Sequence, residues 1–207
     1  MKRIVIVANA PWRWEEDFVT LVHLADEVLA ADGGANHLAR IGVRPTAVVG
    51  DLDSIRPSVR RWVGEERIVE RPSQDATDLD KTLAFAFDER GATAVTVLAA
   101  TGGRLDHALE NLSLLARFSA RGELDGWDAS ARIVPVVERV HLATRPGQGV
   151  SLLPLGRCEH VWGDGLHWPL AGEALDLAAR TSVSNRAEGE TIEVRVAGGA
   201  LLVFLLR

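Results

Sequence analysis

Arg3-Ile4-Val5-Ile6-Val7-Ala8 sets four β-branched residues in a row behind a single arginine. A strand that is apolar on both faces belongs in a parallel sheet with helices covering each side. A secretion signal is the competing reading, because Met1 to Ala10 carries Lys2 and Arg3 and ends on Ala8-Asn9-Ala10. The apolar part of that segment runs only from Ile4 to Ala8, against roughly 7–15 residues in a signal's hydrophobic region. We therefore read a buried first strand.

Working outward, residues 28–31, 47–50, 67–70 and 94–98 repeat the pattern of short β-branched runs. Between the strands lie helical patterns near 16–25, 36–41, 57–64, 77–90 and 106–121. In the fourth of these, Leu79, Leu83, Ala86 and Phe87 recur at helical spacing and define a buried stripe. Gly122-Glu123-Leu124-Asp125-Gly126-Trp127-Asp128 is polar and punctuated by glycine, as a connection would be. Beyond it the period changes from helical to alternating. Ile192, Val194 and Val196 alternate with Glu193 and Arg195, and Gly198-Gly199 offers a two-residue hairpin turn into Leu201–Leu206. The expected fold class is α/β, a parallel-sheet domain over 1–127 followed by a small antiparallel β-sandwich over 128–207.

Composition narrows the function. Among 207 residues, 23 Lys+Arg against 29 Asp+Glu give a formal charge of −6. That balance argues against a general nucleic-acid binder, which needs a basic face for phosphates. A hydrophobic content of 47% excludes a disordered chain. Cys158 is the single cysteine and has no internal partner, which favours a reducing compartment. The longest apolar run, from Ala200 to Leu206, falls well short of the about 20 residues that cross a bilayer. The expectation is a cytoplasmic protein with neither membrane nor nucleic acid as a partner.

Four turns carry more polar detail than packing requires. Asp32-Gly33-Gly34-Ala35-Asn36 follows a strand and opens a helix, a junction at which backbone N–H groups can meet an anion; a plain tight turn has the same sequence. In Gly50-Asp51-Leu52-Asp53-Ser54 an extended backbone would point Asp51 and Asp53 to the same side. They lie at the carboxyl end of a strand, where open α/β sheets bind ligands. Two such charges favour Mg²⁺, and a solvated loop with a capping residue is the plainer reading. Ser73-Gln74-Asp75-Ala76-Thr77-Asp78-Leu79-Asp80-Lys81 puts Asp78 and Lys81 on one face of a helix start. They suit a metal and a phosphate, or a surface ion pair. Thr101-Gly102-Gly103-Arg104-Leu105-Asp106-His107 repeats the strand, glycine and helix pattern, with Arg104 suited to a polyphosphate and Asp106 to a cap or a metal-bound water. His107 reads as a structural helix residue. Taken together, the four turns point to one phosphate- and Mg²⁺-handling cleft.

This ordered set resembles the thiamine pyrophosphokinase (thiamine diphosphokinase) family, and the likeness continues through Gly165-Leu166-His167-Trp168-Pro169-Leu170 and Ser182-Val183-Ser184-Asn185. The resemblance implies an ATP- and Mg-binding catalytic domain over 1–127 and a thiamine-binding, dimerising β-sandwich over 128–207. It implies a homodimer that transfers the pyrophosphoryl group of ATP to the hydroxyl of thiamine and releases AMP. By the same resemblance, Asp51, Asp53 and Asp78 surround Mg²⁺ (or Mn²⁺) and the reacting hydroxyl. Lys81 and Arg104 hold the polyphosphate, and Asp106 supports the metal or Arg104. Asp32, Gly33, Gly34 and Asn36, with Gln74, Asp75, Thr77 and Gly103, line the nucleotide side. Trp168 stacks on the aminopyrimidine of thiamine from the partner subunit, with Ser182, Ser184 and Asn185 near the ring; ordinary sandwich packing is the other reading of that tryptophan. Ser73 departs from the acidic residue that eukaryotic-type members tend to carry there.

The chemistry agrees. A primary alcohol is a weak nucleophile and a polyphosphate repels it, so cations must neutralise charge and align the two groups, while a carboxylate, Asp78 or Asp51, takes the proton. Rival readings are a non-catalytic thiamine or nucleotide sensor, a pyrophosphokinase for a related pterin or thiamine-like alcohol, and an Asp-x-Asp nucleotide-sugar transferase.

Overall fold

The computed structural model describes every residue of the chain except Trp14. It divides into two compact units, Met1–Leu114 with Arg121–Asp128, and Leu115–Ala120 with Ala129–Arg207.

In the first unit six strands are parallel: β1 (Arg3–Val7), β2 (Glu27–Ala31), β3 (Ala47–Gly50), β4 (Ile68–Glu70), β5 (Ala94–Leu98) and β6 (Glu123–Trp127). They lie in the order β6-β5-β1-β2-β3-β4. The apolar run of the first strand is explained by burial on both faces, since Ile4, Val5, Ile6 and Val7 are all inaccessible. Helices α1 (Glu16–Leu24), α2 (Gly34–Arg40), α3 (Pro57–Val63), α4 (Asp78–Ala84) and α5 (Leu105–Phe118) complete the alternation. Phe18 and Val22 of α1, Leu38 of α2 and Val63 of α3 close one apolar cluster with Val5, Val7, Val28 and Val48. The chain runs α4 into a π-helical turn, Phe85–Glu89, so the long helix expected over 77–90 changes its winding midway.

The stretch expected as a connection, 122–128, is instead strand β6. It pairs in parallel with β5 from Ala94↔Glu123 to Leu98↔Trp127. Only Leu124 and Gly126 of this strand are buried, while Thr96 donates from its hydroxyl to Asp125 at 2.7 Å. Polar and glycine-rich residues are tolerated because one side of the strand is partly wet and its ladder comes from β5.

The second unit holds β7 (Ala131–Val136), β8 (Arg139–Ala143), β9 (Gly149–Pro154), β10 (Cys158–Asp164), β11 (Leu170–Leu175), β12 (Ser182–Arg186), β13 (Thr191–Gly198) and β14 (Leu201–Leu206). Strands β12, β9, β14 and β7 lie side by side in that order, and β11-β10-β13-β8 form a separate antiparallel sheet. Leu152, Val161, Leu175, Val194, Leu201 and Val203 are among the side chains of their shared core. The expected hairpin across Gly198-Gly199 does not form: β13 pairs with β8 and β10, β14 with β7 and β9. Leu201, Leu202, Val203 and Leu205 are buried on both faces of β14, which suits a central strand with neighbours on each side rather than one arm of a ribbon.

Candidate active site

The carboxyl ends of β2 and β3 and the start of α4 bring three carboxylates together. Asp32 follows β2 in the left-handed region, at φ 40°, and is only 1% exposed. Its Oδ2 accepts the N–H of Ser54 at 2.8 Å and its Oδ1 that of Ile55 at 3.0 Å. Asp51 follows β3; its own N–H is donated to Asp78 Oδ1 at 3.2 Å, and its Oδ2 accepts from the Gln74 amide at 3.1 Å. Asp78 begins α4, whose N-cap Thr77 accepts the N–H of Asp80 at 3.3 Å. One oxygen from each of Asp32, Asp51 and Asp78 lies within 4.8 Å of the others, a group found among the described residues.

Gly50 makes the convergence possible. A methyl group at its Cα would lie 2.8 Å from Asp32 Cβ and 2.8 Å from Asp78 Oδ1, so a side chain here would push the two aspartates apart. Gly34 serves packing: a Cβ there would lie 1.9 Å from the carbonyl oxygen of Val7, so its absence seats α2 against the end of β1. Gly33, beside it, is buried as well.

Charge in the group is only partly offset. At the 4.8 Å limit of their separation and an effective dielectric near 20, each ionised carboxylate pair repels by roughly 3–4 kcal/mol. Lys81, whose side chain is 8% exposed, reaches Asp78 Oδ1 at 3.3 Å and compensates one of the three charges. Burial pushes the Asp32 carboxyl above its ordinary range, against the pull of the Ser54 and Ile55 N–H groups, and the charges of Asp78 and Asp53 push the same way. Asp51 is held below its ordinary range, chiefly by the Gln74 amide and further by the Asp53 N–H and Lys81. Hard oxygen donors carrying uncompensated negative charge fit a divalent cation such as Mg²⁺ or Mn²⁺.

The other expected residues fall in different places. Asp53 is exposed and outside the carboxylate group: Leu52 between it and Asp51 has φ 68°, so the extended backbone that would align the two aspartates is absent. Its carboxylate accepts from its neighbour Ser54 at 2.7 Å, and its N–H points to Asp51 Oδ1 at 3.4 Å. Asp75 is exposed and closes a local turn with Ser73, whose hydroxyl donates to it at 2.9 Å. Arg104 grips Asp106 with two nitrogens, at 3.2 and 2.5 Å, and holds that carboxyl down at about 2. Both are exposed, as is Gly103. His107 is an exposed residue of α5. Sequence reasoning put Asp32 on the nucleotide side rather than among the carboxylates; the missed signal was that β2 and β3 are sheet neighbours, so residues just past their ends must meet.

In the second unit Trp168 is 53% exposed, too open for a packing residue. Asn185, 2% exposed, holds its backbone from both sides: Trp168 N–H to Asn185 Oδ1 at 3.1 Å, Asn185 Nδ2 to Trp168 O at 2.8 Å. Nδ2 also donates to Ser182 Oγ at 3.1 Å. Ser184, at φ 60°, donates its N–H to Ser151. The Arg186 guanidinium lies 5.8 Å from the Trp168 ring centroid, and the His167 ring packs edge-on at 4.6 Å. Asn185 and Ser182 thus present the indole rather than line it.

Fold and site together define a class: an α/β protein whose ligand edge gathers carboxylates fit for a divalent cation, continued in the same chain by a β-sandwich with a presented tryptophan. Residues 18–124 match the family model for the thiamin pyrophosphokinase catalytic domain, and residues 138–201 that for the thiamin pyrophosphokinase vitamin B1 binding domain. The chain belongs to the thiamin pyrophosphokinase family. It is 31% identical over 194 residues to thiamine pyrophosphokinase 1 of Oryza sativa subsp. japonica, covering 80% of this chain and 74% of that one. Against thiamine pyrophosphokinase 1 of Arabidopsis thaliana it is 29% identical, covering 80% and 73%. The crystal structure of thiamine pyrophosphokinase from Bacillus subtilis superposes with a TM-score of 0.85 over 99% of each chain, at 23% identity, and shares the fold.

Proposed function

We propose that the chain transfers the pyrophosphoryl group of ATP to the hydroxyl of thiamine, giving thiamine diphosphate and AMP, with the carboxylate group of the first unit as its reaction centre. The observation that carries the reading is the convergence of Asp32, Asp51 and Asp78 beside Lys81 in a member of this family. Asp51 and Asp78, with Asp32 behind them, are the residues that would hold Mg²⁺ or Mn²⁺. When bound, the ion neutralises polyphosphate charge and so lowers the barrier to attack at phosphorus. Lys81 keeps its ammonium beside Asp78 and offers its remaining donors to the transferred group. Asp51, kept ionised by Gln74, or Asp78 accepts the proton of the alcohol. Arg104 serves the polyphosphate after exchanging its contact with Asp106.

In this reading Trp168 stacks on thiamine, a cationic ligand suited to an indole face. We extend the proposal to a cytoplasmic homodimer in which Trp168 comes from the partner subunit; sedimentation that finds only monomer removes that part. The decisive experiment mixes protein, Mg-ATP and thiamine and separates the nucleotides. AMP appearing in step with thiamine diphosphate is the expected result. ADP as the co-product, or no turnover, refutes the assignment.

A further inference from the structure

Asn36 stands on the first turn of α2, four residues after Asp32, and both ends of its amide are spent on the loop that carries Asp51. Its Nδ2 donates to Ser54 O at 3.0 Å, and its Oδ1 accepts the N–H of Arg56 at 3.0 Å. Asp32 takes the two N–H groups in between, those of Ser54 and Ile55. Four hydrogen bonds from two side chains four residues apart therefore fasten three consecutive residues, as a short strand would, although among the described residues the loop has no strand neighbour there. The fastening starts three residues after Asp51. Between the two the chain passes through Leu52 at φ 68°, a conformation that a side chain larger than glycine adopts only when its surroundings hold it.

We propose that Asn36 is a positioning residue: it latches residues 54–56 to α2 and so fixes Asp51 within reach of Asp78 and Asp32. This replaces the direct nucleotide contact that the family likeness suggests for Asn36, because both ends of the amide are already oriented by the loop and only one N–H and one lone pair remain. Asp32 alone would hold the loop by accepting from Ser54 and Ile55; Asn36 adds the register at either end of that pair. The inference rests on the phosphoryl-transfer reading only through its kinetic arm, and the metal-binding arm stands apart from it.

The test uses the full-length protein with Asn36→Ala and Asn36→Asp. Mn²⁺ binding is followed by electron paramagnetic resonance without nucleotide or thiamine, and kcat and KM are measured separately. For Asn36→Ala, Mn²⁺ affinity and kcat are each expected to fall by about tenfold, the scale of losing a group that orients a metal ligand, with KM for ATP within twofold. Asn36→Asp keeps the acceptor for Arg56 and turns a carboxylate oxygen toward the Ser54 carbonyl. Mn²⁺ binding is expected to weaken there as well, despite the added negative charge. Tighter Mn²⁺ binding by Asn36→Asp overturns the latch in favour of simple electrostatics. A raised KM for ATP with unchanged Mn²⁺ affinity returns Asn36 to the nucleotide. If the wild type releases no AMP, the function fails while the Mn²⁺ arm still decides the latch, and Asn36→Asp, isosteric and half-exposed, serves if Asn36→Ala does not fold.

Discussion

Gly50 bears on the site more than its size suggests, because the space a methyl would fill is where Asp32 and Asp78 approach each other. Gly50→Ala is expected to cost about 1–3 kcal/mol of stability, as inserting a methyl into a packed position does. It should also lower kcat by about tenfold by parting the carboxylates, the scale of disturbing groups that orient a metal site. Thermal melting and steady-state rates measure the two effects, and a variant with wild-type kcat would show that the convergence is irrelevant to turnover. Asp51→Asn should lower kcat by roughly 10²-fold or more, since it removes a charge from the proposed metal group; a near-wild-type rate would return Asp51 to the status of a loop residue. Asp51, Asp78 and Lys81 were legible in the sequence because each sits at a strand end or a helix start, places that spacing alone can locate. The arrangement of Asp32 and Asp53 was not. It depends on two residues in the left-handed region, Asp32 and Leu52, and single-residue backbone rotations leave no period to read.

Among the elements, α4 carries both Asp78 and Lys81, so its first turn has to be in register for the site to form. Thr77 provides that register by accepting the N–H of Asp80. Thr77→Ala is expected to cost about 1 kcal/mol, the usual loss of a cap, and to lower activity, whereas Thr77→Ser keeps the acceptor and should restore both. Equal stability of the two variants in denaturant titration would mean that the cap is idle. All five strands expected in the first unit form, β1 to β5. In β1, β2 and β3 burial on both faces explains the apolar runs, whereas β5 alternates and β4 is at most half-buried, so their short β-branched runs were the readable signal. β6 escaped because Asp125 and Gly126 look like turn chemistry until Thr96 and the β5 ladder supply their partners. The C-terminal pair was misread for a different reason. Gly199, at φ 97°, does turn the chain, and a local glycine cannot say whether the next strand returns to the same sheet or crosses to the other one.

For the whole molecule, proton and metal compete for the same charge. The Asp32 carboxyl is raised above its ordinary value, so the stability it contributes is complete while it is protonated and is lost as pH rises through its folded-state pKa. Asp51 behaves in the opposite sense: its depressed pKa gives stability above the ordinary value that disappears only as pH falls through the lowered one. Once all three carboxylates are ionised, the metal-free protein bears a repulsion that Lys81 only partly offsets and that a divalent ion would relieve. Binding at ten times Kd stabilises by about 1.4 kcal/mol, and for a chain of this length that corresponds to a rise of a few degrees in melting temperature. The increment with Mg²⁺ or Mn²⁺ is expected to grow as pH rises through the raised Asp32 pKa and to shrink as pH falls through it, because a protonated carboxyl no longer attracts the cation. Melting curves with and without Mg²⁺ across pH 4–8, an interval chosen to bracket the ordinary carboxyl range from above, read this directly. In Asp51→Asn the increment should fall at every pH. An increment in the wild type that is absent throughout, or that does not change with pH, would show that these three carboxylates do not act together on a metal ion.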